Sequence, residues 1–316
     1  MALPVCDHYS GVEVRMRKSL QLQAAMKQEF GACVFDVTLD CEDGAPVGGE
    51  TEHAHLVREI ALSASNDARV AVRVHPVDHP SFTQDVSLIV AQCHERLKHV
   101  MVPKVESLAD VELAVNVMDS AGAKQLPLHV LIESPAAVHR AFEIAGHPRV
   151  QSLSFGLLDF VSAHGGAIPA SGMGAQGQFT HPLVLRAKLE IASACHAHGK
   201  VPSHCVVTEF SNAEAIKLAA TQASRALGFT RMWSIHPSQI RPIVEAFAPS
   251  DEAIEAAAAL IEAAASAEWA PISHAGQLHD RASYRFFWQV LERANLTGRV
   301  MPDAIQKYFG EPACAV

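Results

Sequence analysis

Eight short runs of strand character recur along the first 235 residues, and helix-patterned segments fill most of the gaps between them. Strands are expected at Val12–Met16, Ala32–Leu39, Arg69–Val74, His99–Pro103, Leu128–Ile132, Val150–Phe155, Val201–Val206 and Met232–Ile235. Helices are expected at Glu50–Ala64, Phe82–Arg96, Leu108–Ala121, Pro135–Ala145, Pro182–His198 and Asn212–Leu227, where apolar residues return at helical spacing. Eight strand–helix units in about 240 residues match the size and count of a (β/α)8 TIM barrel. An open doubly wound sheet is the competing architecture, but no GxGxxG follows an early strand to support it.

The texture changes at Ala248-Pro249-Ser250. A division into a catalytic barrel over 1–249 and a C-terminal helical lid extension over 250–316 follows, with helices at Asp251–Ala267 and Ser283–Ala294 around a loop at Pro271–Asp280.

In a barrel of this kind the carboxyl ends of all the strands meet at one rim, which is where ligands bind. Charge gathers at those ends: Asp40, Glu42 and Asp43 follow the second run, Arg73 and His75 the third, Lys104 and Glu106 the fourth. Glu133 closes the fifth run, Asp159 the sixth, Ser203 and His204 lie on the seventh, and His236 follows the eighth. Glu133 and Asp159 end buried-type strands, so a cation is expected to join them. Two hard oxygen ligands with room left for water and substrate suit Mg²⁺, with Mn²⁺ as the alternative ion, better than Zn²⁺ or a Ca²⁺ cage. Arg73, inside the apolar run Val70–Val74, needs an anion, either a substrate carboxylate or a neighbouring aspartate. Lys104 either pairs with nearby acids such as Glu106 or binds substrate. The histidine pairs His53/His55 and His196/His198 lie two apart and cannot face one ion, and no HExxH occurs, so the histidines read as surface or rim residues.

Bulk properties narrow the partners. A net charge of −9, with no basic cluster denser than Arg15-Met16-Arg17-Lys18, argues against nucleic acid. No apolar stretch of about 20 residues is present, and Met1–Ser10 lacks the pattern of a signal peptide. Seven cysteines without CxxC spacing read as reduced thiols of a cytoplasmic protein.

The assembled motifs resemble those of the HpcH/HpaI aldolase family, in its citrate lyase beta-subunit-like and malyl-CoA lyase group. They are Leu39-Asp40-Cys41-Glu42-Asp43, Val72-Arg73-Val74, Val102–Ser107, Ile132-Glu133, Phe155–Asp159 and Ile235–Gln239, in family order over roughly residues 32–250. The resemblance implies a Mg²⁺-dependent (β/α)8 lyase that cleaves or forms a carbon–carbon bond of a hydroxy or keto acid, as such or as its CoA thioester. It implies Glu133 and Asp159 as metal ligands, Arg73 as oxyanion or carboxylate clamp, and Glu42 and Asp43 as acids holding metal waters. Gly276–Asp280 is similar to a lid segment whose aspartate enters a neighbouring subunit's active site, which places Asp280 in catalysis and implies a homo-oligomer, a trimer or a hexamer. The sequence departs from the family at Leu20–Ala24, which lacks the Pro-Gly of the first strand, at His75 in place of Asn, at Ser203-His204 and at Arg231-Met232. Those departures leave open a catalytically retired barrel that serves as a binding or assembly subunit. A phosphate-handling barrel has no Gly-rich loop after the seventh or eighth strand to support it.

Overall fold

In the computed structural model, which describes residues 3–309, the strands β1 (Cys6–Ser10), β2 (Phe35–Asp40), β3 (Val70–Arg73), β4 (Leu97–Val102), β5 (Leu128–Ile132), β6 (Val150–Phe155), β7 (Val201–His204) and β8 (Arg231–Ser234) close into one parallel barrel in sequence order. The (β/α)8 expectation holds. Its cause lies in the alternation along each strand. Phe35, Val37 and Leu39 of β2 and Leu128, Val130 and Ile132 of β5 join the apolar layer beneath the helices. The intervening positions, such as Asp36, Thr38, His129 and Leu131, are also buried and face the barrel axis.

The first strand differs from the expectation. Val12 caps the helix Glu13–Phe30 and residues 13–16 open it, with Val12 and Val14 exposed, and the first strand lies upstream at Cys6–Ser10. The run Cys-Asp-His-Tyr-Ser carries no local apolar pattern because its polar groups are satisfied far along the chain. Asp7 accepts from Thr38 Oγ1 (2.7 Å), and His8 Nδ1 shares a hydrogen bond with Ser234 Oγ (2.8 Å). The segment Leu20–Ala24 lies inside the helix Glu13–Phe30 and not at the end of a strand; β1 ends at Ser10, followed by Gly11.

Other boundaries shift for identifiable reasons. The helix expected over Pro135–Ala145 breaks at Arg140, whose Nη1 donates to the Glu106 carbonyl (3.0 Å). The segment 82–93 contains a π-helical stretch at Val86–Val90. Pro271–Asp280, expected as a loop, holds a two-stranded hairpin of β9 (Ile272–His274) and β10 (Gln277–His279).

The tail builds its own apolar cluster, with Ile254, Leu260 and Ile261 of the helix Asp251–Ser266 packed on Tyr284 and Leu291 of the helix Arg281–Leu296. It touches the barrel flank through Arg293, whose Nη1 donates to Ser224 Oγ (3.4 Å) close to the C-terminal end of the helix Ala213–Ala226. In a barrel that helix end lies on the side opposite the rim. The six described cysteines are free; Cys314 lies outside the described residues. No helix among the described residues is long and apolar enough to cross a membrane.

Candidate active site

A cavity of about 540 Å³ opens at the carboxyl ends of the strands, and Arg73, Glu133, Asp159, Asp40 and Asp43 line it together with Tyr9, Leu131 and Trp233. Glu133, directly after β5, is buried, and Asp159 sits in the first turn of the helix Leu157–Ser162 after β6. Burial and then the charge of Asp159 push the Glu133 carboxyl up to about 8. Gly156 makes this approach feasible, since a Cβ there would lie 2.5 Å from Glu133 Oε2.

Lys104 fixes the other carboxylate oxygen. Its backbone N–H donates to Glu133 Oε1 (2.6 Å), and to do so the residue adopts φ 53°, the left-handed region that a lysine seldom occupies. Its Nζ turns to Glu42 Oε1 (2.6 Å) and Asp43 (3.6 Å) rather than to Glu106, which accepts from Ser134 Oγ (2.7 Å). Burial opposes the ammonium charge, but the Glu42 contact prevails and raises Lys104 to about 12.

Arg73 finds its anion within the chain. Nε and Nη2 grip the Asp40 carboxylate at 2.7 and 2.5 Å, and Nη1 lies 3.0 Å from Glu42 Oε2. Burial works against the guanidinium charge, and Asp40 more than restores it, holding the pKa above its ordinary value. The planar fork is thus engaged by Asp40 and Glu42, while the side chain still lines the cavity. Asp40 also accepts from the backbone N–H groups of Glu42 and Gly44 (3.0 and 2.9 Å), which folds the loop after β2 over Arg73. Glu42 is buried between Arg73 and Lys104, whereas Asp43 is largely exposed. Farther along the rim, His75 directs both its backbone N–H and Nδ1 to the buried Asp85 (2.9 and 2.7 Å), a pairing that raises its pKa.

Asp280 is not among the residues lining the cavity of its own chain. It caps the helix Arg281–Leu296, accepting from Ala282 N–H (2.9 Å), and it is exposed.

Below the rim lies a polar layer that strand periodicity alone did not reveal. Arg231, fully buried, reaches Asp36 (2.6 Å), Asp7 (2.9 Å) and the Pro4 carbonyl (2.9 Å) inside the barrel. His99 and His129 stack with centroids 3.5 Å apart at 11°, and with Asp7 they bring ligand-type atoms within 4.8 Å of one another. We do not read this triad as the metal centre. Stacked imidazoles send their lone pairs along parallel planes, and Arg231 already neutralises Asp7. Among the described residues His8, His75, His99, His129, His204 and His279 are buried; of these only His75 keeps to the expected rim, and the expectation of surface or rim histidines fails for the other five. For His99 and His129 the signal in the sequence is an inward position on a strand, which the spacing between histidines does not report.

The comparisons bear on this geometry. The family model for HpcH/HpaI aldolase/citrate lyase matches residues 21–237. The chain is 30% identical over 295 residues to an L-malyl-CoA/beta-methylmalyl-CoA lyase of Cereibacter sphaeroides, spanning 86% of this chain and 91% of that one.

This chain belongs to the HpcH/HpaI aldolase/citrate lyase family.

It is accordingly an enzyme of the carbon–carbon lyase class. A citrate lyase subunit beta-like protein of Deinococcus radiodurans is 31% identical over 240 residues, 73% of this chain and 78% of that one. Among solved structures, a citrate lyase from Burkholderia xenovorans shares 47% identity at a TM-score of 0.82, covering 97% of this chain and 96% of that one. The CitE protein of Mycobacterium tuberculosis, solved with magnesium, acetoacetate and coenzyme A, shares the family fold at 23% identity and a TM-score of 0.70, covering 93% and 98%.

Proposed function

We propose that the protein is a Mg²⁺-dependent lyase that joins and cleaves a 2-oxo acid and an acyl-CoA, with Mn²⁺ able to replace the ion. The observation that carries this reading is the pair of rim acids: Glu133, driven toward its neutral form by burial and by Asp159, is a carboxyl that a hard dication would ionise. Glu133 and Asp159 would hold the ion, which when bound supplies Lewis-acid polarisation and a template for the oxo-acid oxygens. The residues around it perform the remaining tasks. Lys104 N–H keeps Glu133 Oε1 in place, so that the carboxylate does not reorient as substrate enters. Arg73, locked by Asp40 and Glu42, sets a fixed positive charge beside the oxygen on which negative charge develops. Glu42 and Asp43 hold Lys104 and the polar lip of the site, where they would also orient water.

Cleavage needs a base that takes the hydroxyl proton as the carbon–carbon bond breaks and returns it to the acyl carbon. We assign this role to Asp280, delivered from a neighbouring copy in a homo-oligomer, a trimer or a hexamer, because Asp280 is exposed and does not line its own cavity. The segment 250–316 then serves as a lid. Arg15 and Lys18 line the outer lip of the cavity and are exposed, where they suit the phosphates of CoA. A retired barrel would have no reason to keep Lys104 in a strained conformation aimed at Glu133.

The test is direct. Purified protein with acetyl-CoA and a 2-oxo acid should release or consume thioester only when Mg²⁺ or Mn²⁺ is present. Thioester turnover that persists unchanged in chelator would overturn the metal-dependent reading.

A further inference from the structure

We infer that the oxo acid taken by this site carries a single carboxylate and an alkyl tail, and that Tyr9 and Trp233 set this preference. The inference rests on the lyase reading above and concerns the part of the substrate that does not react.

Two observations carry it. The first is the floor of the cavity. Tyr9, Met101, Leu131, Val206 and Trp233 form a separate apolar cluster just inside the rim. Leu131 of β5 precedes Glu133 by two residues, and the extended chain puts it on the same face, about 6–7 Å deeper. A molecule whose oxygens reach Glu133 and Asp159 therefore meets apolar side chains within one or two carbons. The aromatic pair is held rigidly: the rings of Tyr9 and Trp233 meet edge-on at 4.9 Å, and Trp233 Nε1 donates to the Phe155 carbonyl (3.2 Å). The Tyr9 hydroxyl is buried and has no hydrogen-bond partner within the chain, so what the cavity floor presents most broadly is the ring.

The second observation is the charge balance. Five carboxylates, those of Asp40, Glu42, Asp43, Glu133 and Asp159, gather at the rim around two cations, Arg73 and Lys104. Both cations are already engaged by Asp40, Glu42 and Asp43. His8, which also lines the cavity, is kept neutral by burial, its pKa pushed down to about 4. Arg15, Lys18 and His236 line the cavity but are exposed, so they belong to its lip. A second carboxylate at the far end of the oxo acid would be desolvated against Leu131, Val206 and Trp233 with no free cation beside it. An alkyl end there gains about 4-fold in affinity for each methylene it buries.

Matched pairs of acids separate the two ends. Calorimetric titration of the Mg²⁺-loaded protein would compare 2-oxobutyrate with oxaloacetate, and 2-oxovalerate with 2-oxoglutarate, which differ chiefly in a terminal methyl against a terminal carboxylate. The alkyl member of each pair should bind at least 10-fold more tightly. In Trp233→Leu, whose floor is deeper, the optimum should move toward the longer alkyl acid. Tyr9→Phe should leave the order unchanged, because the ring persists and the hydroxyl holds no hydrogen bond within the chain. Equal or tighter binding of either dicarboxylate by the wild-type protein would overturn the inference while leaving the lyase reading intact. Preferred binding of the alkyl acids without any carbon–carbon product, over a range of acyl-CoA partners, would instead count against the lyase reading and uphold the specificity.

Discussion

The backbone N–H of Lys104 points at Glu133 Oε1 across 2.6 Å, and the lysine accepts a left-handed conformation, φ 53°, to make that contact. Glycine relieves the strain and keeps the N–H. Lys104→Gly should therefore leave thermal stability within about 1 kcal/mol of wild type, the gain at φ offsetting the lost contact to Glu42. Its turnover should nevertheless fall, because Glu42 loses its ammonium partner. A Lys104→Gly enzyme with full activity would show that only the backbone of this residue matters.

Glu133 links metal and proton. Its folded pKa of about 8 stands above the ordinary value, so the stability tied to this carboxyl is complete below about 4.5 and is lost as pH rises through about 8. The metal-free protein should lose stability over that window, and Glu133→Gln should flatten this part of the profile. Mg²⁺ affinity should rise with pH over the same range, with proton release seen by calorimetry in buffers of different ionisation enthalpy. Identical metal-free pH profiles for wild type and Glu133→Gln would refute the assignment.

Arg73→Lys should fold but lose turnover on the order of 10²-fold. An ammonium cannot reproduce the two-point grip on Asp40, and the positive charge beside the site would wander. Near-normal kcat would mean that the arginine only ties β3 to β2.

Asp280 and Glu133 can be separated by complementation. Mixed oligomers of Asp280→Ala and Glu133→Gln subunits should regain measurable activity, since some sites would combine an intact lid with an intact rim. Activity no higher than either parent, after confirmed subunit exchange, would place Asp280 outside the neighbouring site.

Lys188 gives a prediction away from the rim. It is fully buried in the helix Pro182–Ala197, with Gln178 Oε1 at 2.8 Å and the Phe179 ring at 4.1 Å, and burial lowers its pKa to about 8. The unfolded chain binds this proton more tightly, so the group's contribution to stability increases from about pH 8 to about 10.5. Lys188→Met should remove that rise in a series of denaturant titrations, without the steep loss that breaking a buried ion pair would cause.

Seven of the eight strands could be read from the amino-acid sequence because their outward positions are apolar and the pattern is local. The same was true of the charged strand ends, since a carboxylate such as Glu133 after Leu-His-Val-Leu-Ile has no apolar reason to be there. β1 escaped that reading: Asp7 and His8 look like loop residues until Thr38 and Ser234, 31 and 226 residues away, supply their partners. Pairing is likewise a tertiary matter. That Arg73 spends its fork on Asp40, that Lys104 turns to Glu42 and not to Glu106, and that Asp7, His99 and His129 meet inside the barrel depend on strands coming into register. Periodicity along one strand determines which face a side chain takes, whereas the neighbour across the barrel determines whether its charge is met.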